Sequence, residues 1–557
     1  MLAPDWTFAV RLLPVATAIF IALACSPAPA LAQDSHLPDI GSSAGELLTP
    51  ARQEQYGRMM QAELRNYGYV LDDPLIDDWL QSMGNRLGAS SDQPRQHFTL
   101  FMLRDRQINA FATLGGYIAV NSGLVLTAER EDEVAAVLSH EMAHVTQQHV
   151  LRAVERAKRD RVPILLGMLA AVVAAQQAGG SSAGDATMAG ITSGLGLLQQ
   201  RQIDYTRSNE AEADRLGIRT LARSGYDVDA MAGFFQRMSL VMRGIQGGYS
   251  APDYLQSHPV TLTRISEAKD RAEQMKKNTL VLTTQVPGGT HQERVNPADP
   301  AFSTPLGMPR NPLLPFNVSG LLDSAPRGPS GQFDWARERL RVLSANTPGD
   351  AIREYEDLRK GNEHGLSAAQ RYGLALARLR NTGGAAQAAQ EFALLLQNDP
   401  DNLWLQLALA EARSRSSQFN QARESMEALL KRLPDNRPAA LTYAGILNEH
   451  PSQQNGQRAR EILEPMLSQA ADDPQFQQSY ARACELAGDS ARASEAHAEV
   501  AYLNGRPEQA LLQLQALKKR EDLDYVTRSR VDARITAITP TVLEMQRQGI
   551  DDPELGR

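Results

Sequence analysis

Cysteine is nearly absent from this chain: Cys25 and Cys484 are the only two among 557 residues. Cys25 lies in an N-terminal segment that reads as removed, so no internal disulfide forms and burial must hold the fold. Aromatic residues are scarce as well, at 6%, which disfavours a β-sandwich and suits Ala/Leu-rich helices. There is no strongly basic block, and Lys+Arg 57 against Asp+Glu 65 leaves a net charge of −8. Nucleic acid is held mainly by clustered Lys and Arg, so it is excluded as the principal partner. No apolar run reaches the roughly 20 residues that a spanning helix needs, which excludes a polytopic membrane protein. What is present is a hydrophobic share of 42% and more chain than one core of roughly 150 residues uses, so two or more domains are expected.

The first segment reads as an address. Arg11 precedes a mainly apolar stretch from Leu12 to Ala24, and Ala30-Leu31-Ala32 offers the small-x-small pattern that a signal peptidase accepts. Residues 1–32 are therefore expected to be a cleaved signal peptide, leaving Gln33 first. A membrane anchor competes, but the run is short for spanning. Lipidation of Cys25 competes too, although Ala22 stands where such a signal expects Leu. A large exported domain with no internal disulfide fits a bacterial periplasm.

Three zones follow. From Leu47 to about Lys277, helical and strand patterns alternate. Asp73-Pro74 makes an N-cap and first residue for a helix to Leu87. The alternation of Phe98, Leu100 and Met102 reads as a strand, and Asn109 to Val125, with a turn at Gly115-Gly116, as a hairpin. A helix is expected from Glu129 to about Arg159, acidic at its start and basic at its end, as the helix dipole favours. Residues 285–330 hold nine prolines from Pro287 to Pro329, too many for a helix or central strand, and read as a linker between a domain over 33–284 and another over 331–557. In the last zone Asp399-Pro400-Asp401-Asn402 recurs as Leu433-Pro434-Asp435-Asn436, a period of 34 residues. That is the tetratricopeptide period, with small positions at Ala388 and Ala422 and bulky ones at Phe392 and Met426. A third copy is expected to end near Pro474, stretched by an insertion around Pro451 to Gly456, and Ala501 to Leu517 reads as a further helical pair. The competing reading is a set of generic α-hairpins, because the repeat's large aromatic positions are poorly filled. Either way an all-α solenoid with a concave, polypeptide-sized surface results.

The chemistry lies in the first domain. His140-Glu141-Met142-Ala143-His144 sits in the acidic-started helix, where four residues turn through about 400° and aim both imidazoles from one face. Neutral imidazole suits Zn²⁺, and Glu141 beside them can take a proton from activated water. Two histidines and a water leave a tetrahedral ion one ligand short. Asn209-Glu210-Ala211-Glu212-Ala213-Asp214 supplies it: Glu210 is the candidate third ligand, and Asp214, four residues on, would hold the far nitrogen of a metal-bound histidine. The competing reading of that carboxylate pair is a solvated helix face. Glu212 is offset from Glu210 by about 200° and is the weaker ligand. His149 lies about 900° from His140 on a continuous helix and is assigned to solvent. His258, in Ser257-His258-Pro259, is either a structural loop histidine or a fourth ligand that displaces the water.

The set His140-Glu141-x-x-His144, Glu210-x-x-x-Asp214, Asn109-Ala110-Phe111-Ala112 with Gly115-Gly116, and Ser257-His258-Pro259 resembles the gluzincin metallopeptidases of peptidase family forty-eight. With an export segment in front and repeats behind, the chain is similar to periplasmic members of that family. The resemblance implies an α+β zincin-like metalloprotease domain, mostly helical with a small sheet, followed by an all-α tetratricopeptide-type solenoid. It implies one zinc per chain and an endopeptidase that degrades unfolded or stalled outer-membrane β-barrel proteins, assists their assembly, and works near the barrel-assembly machinery. It also implies that His258 can cap the metal and hold the enzyme latent. The Gly/Ser/Ala-rich stretch from Gly179 to Gly190 departs from the family pattern.

Asn109, Ala110, Phe111 and Ala112 are expected to line the cleft as a strand that pairs with an extended substrate. The apolar stretch from Val162 to Ala175 reads as a buried helix, with a lid or a peripheral membrane contact as the alternative. For the chain as a whole, a repeat-based chaperone or docking scaffold with a mostly latent site is the competing reading.

Overall fold

The computed structural model describes residues 48–153, 155–156, 206–244, 258–277, 280–286, 289–295, 328–361 and 363–547. The expected signal peptide, the stretches Val162 to Ala175 and Gly179 to Gly190, Ser257 and residues 296–327 of the linker lie outside the described residues. Among the described residues no helix is long and apolar enough to cross a membrane.

The first part is mostly helical around a small sheet. Helix α1 (Pro50–Asn66) is followed by α2 (Pro74–Ala89), capped at its start by Asp73, whose carboxylate accepts from Ile76 N at 3.2 Å. Strands β1 (Thr99–Leu103), β2 (Ala110–Ala112) and β3 (Tyr117–Asn121) form a sheet in the order β1-β3-β2, parallel between β1 and β3 and antiparallel between β2 and β3. Between β2 and β3 the chain turns through Gly115 and Gly116, both at positive φ; a Cβ on Gly116 would meet His97 O at 2.2 Å. Because β2 is an edge strand, one side of its backbone is left for something other than the sheet.

After the short α3 (Ser122–Thr127) comes α4 (Glu131–Thr146), which is buried on every face from Glu131 to Ala143. Such a helix is central rather than amphipathic, and its neighbours are α2, β2 and α6 (Asp229–Gly244). Its acidic first turn is held by specific partners: Glu131 accepts from Arg86 at 3.2 Å and from Ser330 N at 2.9 Å. The helix α5, over residues 206–223, crosses close to it, since a Cβ on Gly217 would lie 3.1 Å from the backbone of His140. Helix α7 (Leu262–Lys277) packs against α6.

Two boundaries differ from the sequence reading. The helix expected to run unbroken to about Arg159 is interrupted at Gln147 and Gln148, where Gln148 takes φ 52; a new helical stretch starts at 149. Neither Gly nor Pro marks the break, which is why periodicity ran through it. Strands β4 (Leu280–Val286) and β5 (Gly289–Val295) pair antiparallel, so ordered structure crosses the expected 284/285 boundary. Both are edge strands of a two-stranded ribbon, the only kind of strand so proline-rich a stretch tolerates.

Among the described residues from 333 to 547 the chain forms helices and turns without strands: α8 (Phe333–Leu343), α9 (Pro348–Lys360), α10 (Ala368–Arg380), α11 (Ala385–Asn398), α12 (Leu403–Arg415), α13 (Phe419–Arg432), α14 (Arg437–Glu449), α15 (Gln453–Leu463), α16 (Pro474–Ala487), α17 (Ser490–Leu503), α18 (Pro507–Lys518) and α19 (Tyr525–Arg547). The pair α13-α14 repeats the pair α11-α12 with each boundary displaced by 34 residues. Ala388, Ala422, Phe392 and Met426 are all fully buried at the contacts between helices. The next helix, α15, again begins 34 residues on. The extra residues therefore fall between Met466 and Pro474, not around Pro451 to Gly456 as the sequence suggested.

The two parts share a core. Helix α8 packs on α2 and α3, and α14 on α2; Trp79 and Phe333 rings meet at 6.5 Å between centroids. Arg339 makes a buried two-pronged contact with Asp73, both distances 2.7 Å. The loop between β1 and β2 is gripped by the C-terminal end of α8: Arg104 donates to Leu343 O at 2.7 Å and Arg106 to Arg341 O at 2.8 Å. Carbonyls at a helix C-terminus lack partners within the helix, so two arginines there satisfy both hydrogen bonding and the dipole.

Candidate metal centre

Helix α4 presents His140 and His144 one turn apart, α5 presents Glu210 and Asp214 one turn apart, and His258 enters from the segment before α7. One donor atom from each of His140, His144, Glu210 and His258 lies within 4.8 Å of every other. His140 Nε2 is 3.0 Å from His144 Nε2, 3.4 Å from His258 Nδ1 and 3.4 Å from Glu210. His144 is 3.4 Å and His258 3.0 Å from Glu210 Oε1. Ligands about 2.0–2.1 Å from one tetrahedral ion stand roughly 3.3 Å apart, so these spacings and this nitrogen and oxygen set fit Zn²⁺.

Around that cluster lie the groups that orient it. Asp214 Oδ1 sits 2.9 Å from His140 Nδ1. Arg264, buried on α7, reaches both acids, with Nε and Nη2 on Asp214 at 2.7 and 2.8 Å and Nη1 on Glu210 at 2.9 Å. Glu141 is buried, with Oε2 accepting from Ala112 N on the free edge of β2 at 3.1 Å. Its other oxygen, Oε1, is buried without a hydrogen-bond partner and lies 3.7 Å from His258 Nε2. A buried carboxylate oxygen without a hydrogen bond is costly, and here it is turned toward His258 and the donor cluster.

The electrostatics favour a positive charge at this point. Burial alone would lower His140, but Asp214 and Glu210 outweigh it and push the imidazole up to about 10. Burial pulls His144 down to about 4, with the His140 charge adding to the effect. Against the effect of burial, the neighbouring imidazoles of His140, His144 and His258 hold Glu210 far below the ordinary carboxylate range. Asp214 is likewise lowered against burial, by His140 and Arg264. Two ionised acids around imidazoles form a cradle for a cation.

Of the strand residues singled out in the sequence, Ala110, Phe111 and Ala112 form β2, and Asn109 stands just before it, its carbonyl accepting from Asn121 N at 2.9 Å. His149 is a correction. It is 3% exposed rather than solvent-facing, and its Nδ1 lies 2.8 Å from His144 Nδ1. The break at Gln148 resets the helical angle, so the count of 100° per residue from His140 does not apply. Glu212 faces His149 at 3.1 Å, away from the cluster. Arg264 was missed because no local pattern marks it; six residues after His258, it gains its role only when α7 meets α5.

Residues 74–272 match the family described as Peptidase family M48. A putative beta-barrel assembly-enhancing protease of Vibrio cholerae is 43% identical over 269 residues, 47% of this chain and 53% of that protein, so the chain spans about half the length of that relative. The beta-barrel assembly-enhancing protease of Yersinia pestis is 32% identical over 399 residues, 68% of this chain and 74% of that protein. The protein of that name from Escherichia coli (strain K12) is 29% identical over 527 residues, 94% and 95% of the two chains.

Proposed function

The chain belongs to peptidase family M48 and is a zinc metallopeptidase, and from that premise we propose that it is a periplasmic endopeptidase with chaperone-like activity, exported by cleavage after Ala32. Its proposed clients are misassembled outer-membrane β-barrel proteins, which it degrades or helps to assemble beside the barrel-assembly machinery. The relatives, all beta-barrel assembly-enhancing proteases by name, support the link to barrel assembly. The observation that carries the enzymatic part is the meeting of four donor atoms beside Glu141, whose one oxygen holds the edge strand while the other is unpaired.

In this reading His140, His144 and Glu210 hold one Zn²⁺ per chain, and Asp214 fixes His140 as a ligand through its Nε2. When bound, the ion supplies Lewis acidity that polarises the scissile carbonyl and makes water more acidic. Glu141 then takes the proton of the attacking water at Oε1 and delivers it to the leaving amide nitrogen. The edge of β2, from Asn109 to Ala112, aligns an extended substrate through main-chain hydrogen bonds, so sequence demand is low. His258 would offer the fourth donor to the ion, so substrate would enter only with that imidazole turned aside. The all-α region, read as tetratricopeptide repeats on the 34-residue recurrence of its helices, would present clients to this cleft.

A Glu141→Gln protein tests the assignment: it should keep its zinc and lose casein cleavage by roughly 100-fold or more. Equal cleavage with bound zinc would refute Glu141 as the base. The four-donor closure by His258 also favours a second reading, a repeat-based chaperone or docking scaffold whose protease site is mostly latent. Loss of cellular function in Glu141→Gln would support the protease, whereas rescue by that variant but not by a chain ending near Pro329 would support the scaffold. His258→Ala tests the cap alone, with increased cleavage supporting it and unchanged or lost cleavage returning His258 to a structural role.

A further inference from the structure

His140 has Asp214 behind it, but the far nitrogen of His144 faces no carboxylate directly. It faces another imidazole: His144 Nδ1 and His149 Nδ1 are 2.8 Å apart, with the rings edge to face at 78°. On its other side His149 Nε2 lies 3.1 Å from Glu212 Oε2, and Arg152 holds the same oxygen at 3.1 Å.

With the Nε2 lone pair of a neutral His144 turned to the metal, one arrangement of protons uses both of these contacts. For His144 to offer a lone pair at Nε2, its proton must be on Nδ1, where it is donated to a bare His149 Nδ1. His149 then carries its own proton on Nε2 and donates it to the Glu212 carboxylate. The reverse arrangement puts a bare nitrogen against a carboxylate oxygen and a proton on the face of His144 that meets His140. Glu212 therefore selects the first.

The geometry points to His149 and Glu212 as positioning residues for the metal. Together they fix His144 as the Nδ1–H tautomer and pass the carboxylate's charge through a neutral ring to the ligand, as Asp214 does directly for His140. The device depends on the helix break: on an unbroken helix His149 would stand about 140° around from His144, and the left-handed Gln148 brings it back. Glu212, two residues from Glu210 and on another face of α5, thus supports the second imidazole of the centre.

The inference rests on His144 being a zinc ligand, and the experiment keeps the two apart. Zinc affinity of the full chain is measured by competition with a chromophoric chelator for the parent, His149→Phe, His149→Gln and Glu212→Gln, with circular dichroism as the check on folding. His149→Phe keeps ring volume but has no acceptor, and should weaken zinc binding by roughly 10- to 100-fold. Gln can accept through Oε1 and donate through Nε2, so His149→Gln should recover most of that loss. Glu212→Gln should cost several-fold, and it decides the matter if the Phe variant does not fold. Parental affinity in a folded His149→Phe, or in Glu212→Gln, would overturn the proposal. A Gln variant as weak as Phe would overturn it too, reducing His149 to packing. A parent that binds no zinc would instead overturn the metal reading itself.

Discussion

The all-helical region and the metal centre are stabilised in opposite ways. From α11 to α14 each helix meets its sequence neighbours, apolar side chains such as Phe392 and Leu405 fill the contacts, and ion pairs such as Arg415 with Glu449 stay at the surface. At the centre, His140, Glu141, Glu210, Asp214, His258 and Arg264 are buried together, beside the half-buried His144 and Ala112. In the helical stretch, loss of a surface ion pair such as Arg415 with Glu449 costs little. The centre makes every polar group depend on the others, because a buried charge without its partner costs several kcal/mol.

Substitutions can break this contrast or sharpen it. Phe392→Ala should cost roughly 3–5 kcal/mol in urea unfolding by opening a cavity, while leaving zinc affinity at its parental value; a fall in zinc affinity would show that the two regions are not separable. Arg264→Met leaves Asp214 and Glu210 without their shared cation and should cost about 3 kcal/mol in the presence of chelator. Added zinc should restore part of that loss, whereas no restoration would sink the idea that ion and guanidinium serve the same acids. Asp92, which ties the end of α2 to Arg219 and Arg223 on α5, is held below the ordinary carboxylate range by those arginines against the opposing effect of burial. A folded pKa lower than the unfolded one gives stability that is full above the unfolded value of about 4 and is lost as pH falls below it. The advantage of the parent over Asp92→Asn should thus persist at neutral pH and shrink on acidification; a constant difference across pH would contradict it. Smallest of all, Glu449→Ala should change stability by less than about 1 kcal/mol, because both partners are more than two-fifths exposed.

The same contrast governs what could be read without coordinates. The recurrence of Asp399-Pro400 as Leu433-Pro434 located two helical pairs because the contacts that make them are local. His140, His144, Glu210 and Asp214 could be paired on faces because each pair lies within one helix turn. That helix faces alone could not bring the pairs together is clear from Arg264, which belongs to a third helix and carries no spacing signal. His149 was misplaced for a related reason: a single left-handed Gln148, chemically unremarkable in the sequence, redirects everything after it. The misplaced insertion near Pro451 reflects the same limit, since Pro-Ser reads as a loop whether it shortens or lengthens a repeat.

The grip of Arg104 and Arg106 on the end of α8 ties the helical region to the loop that leads into β2. Under the proposed function, a client that tilted the first helical hairpin would therefore bear on the backbone just before β2, the strand proposed to align the scissile peptide.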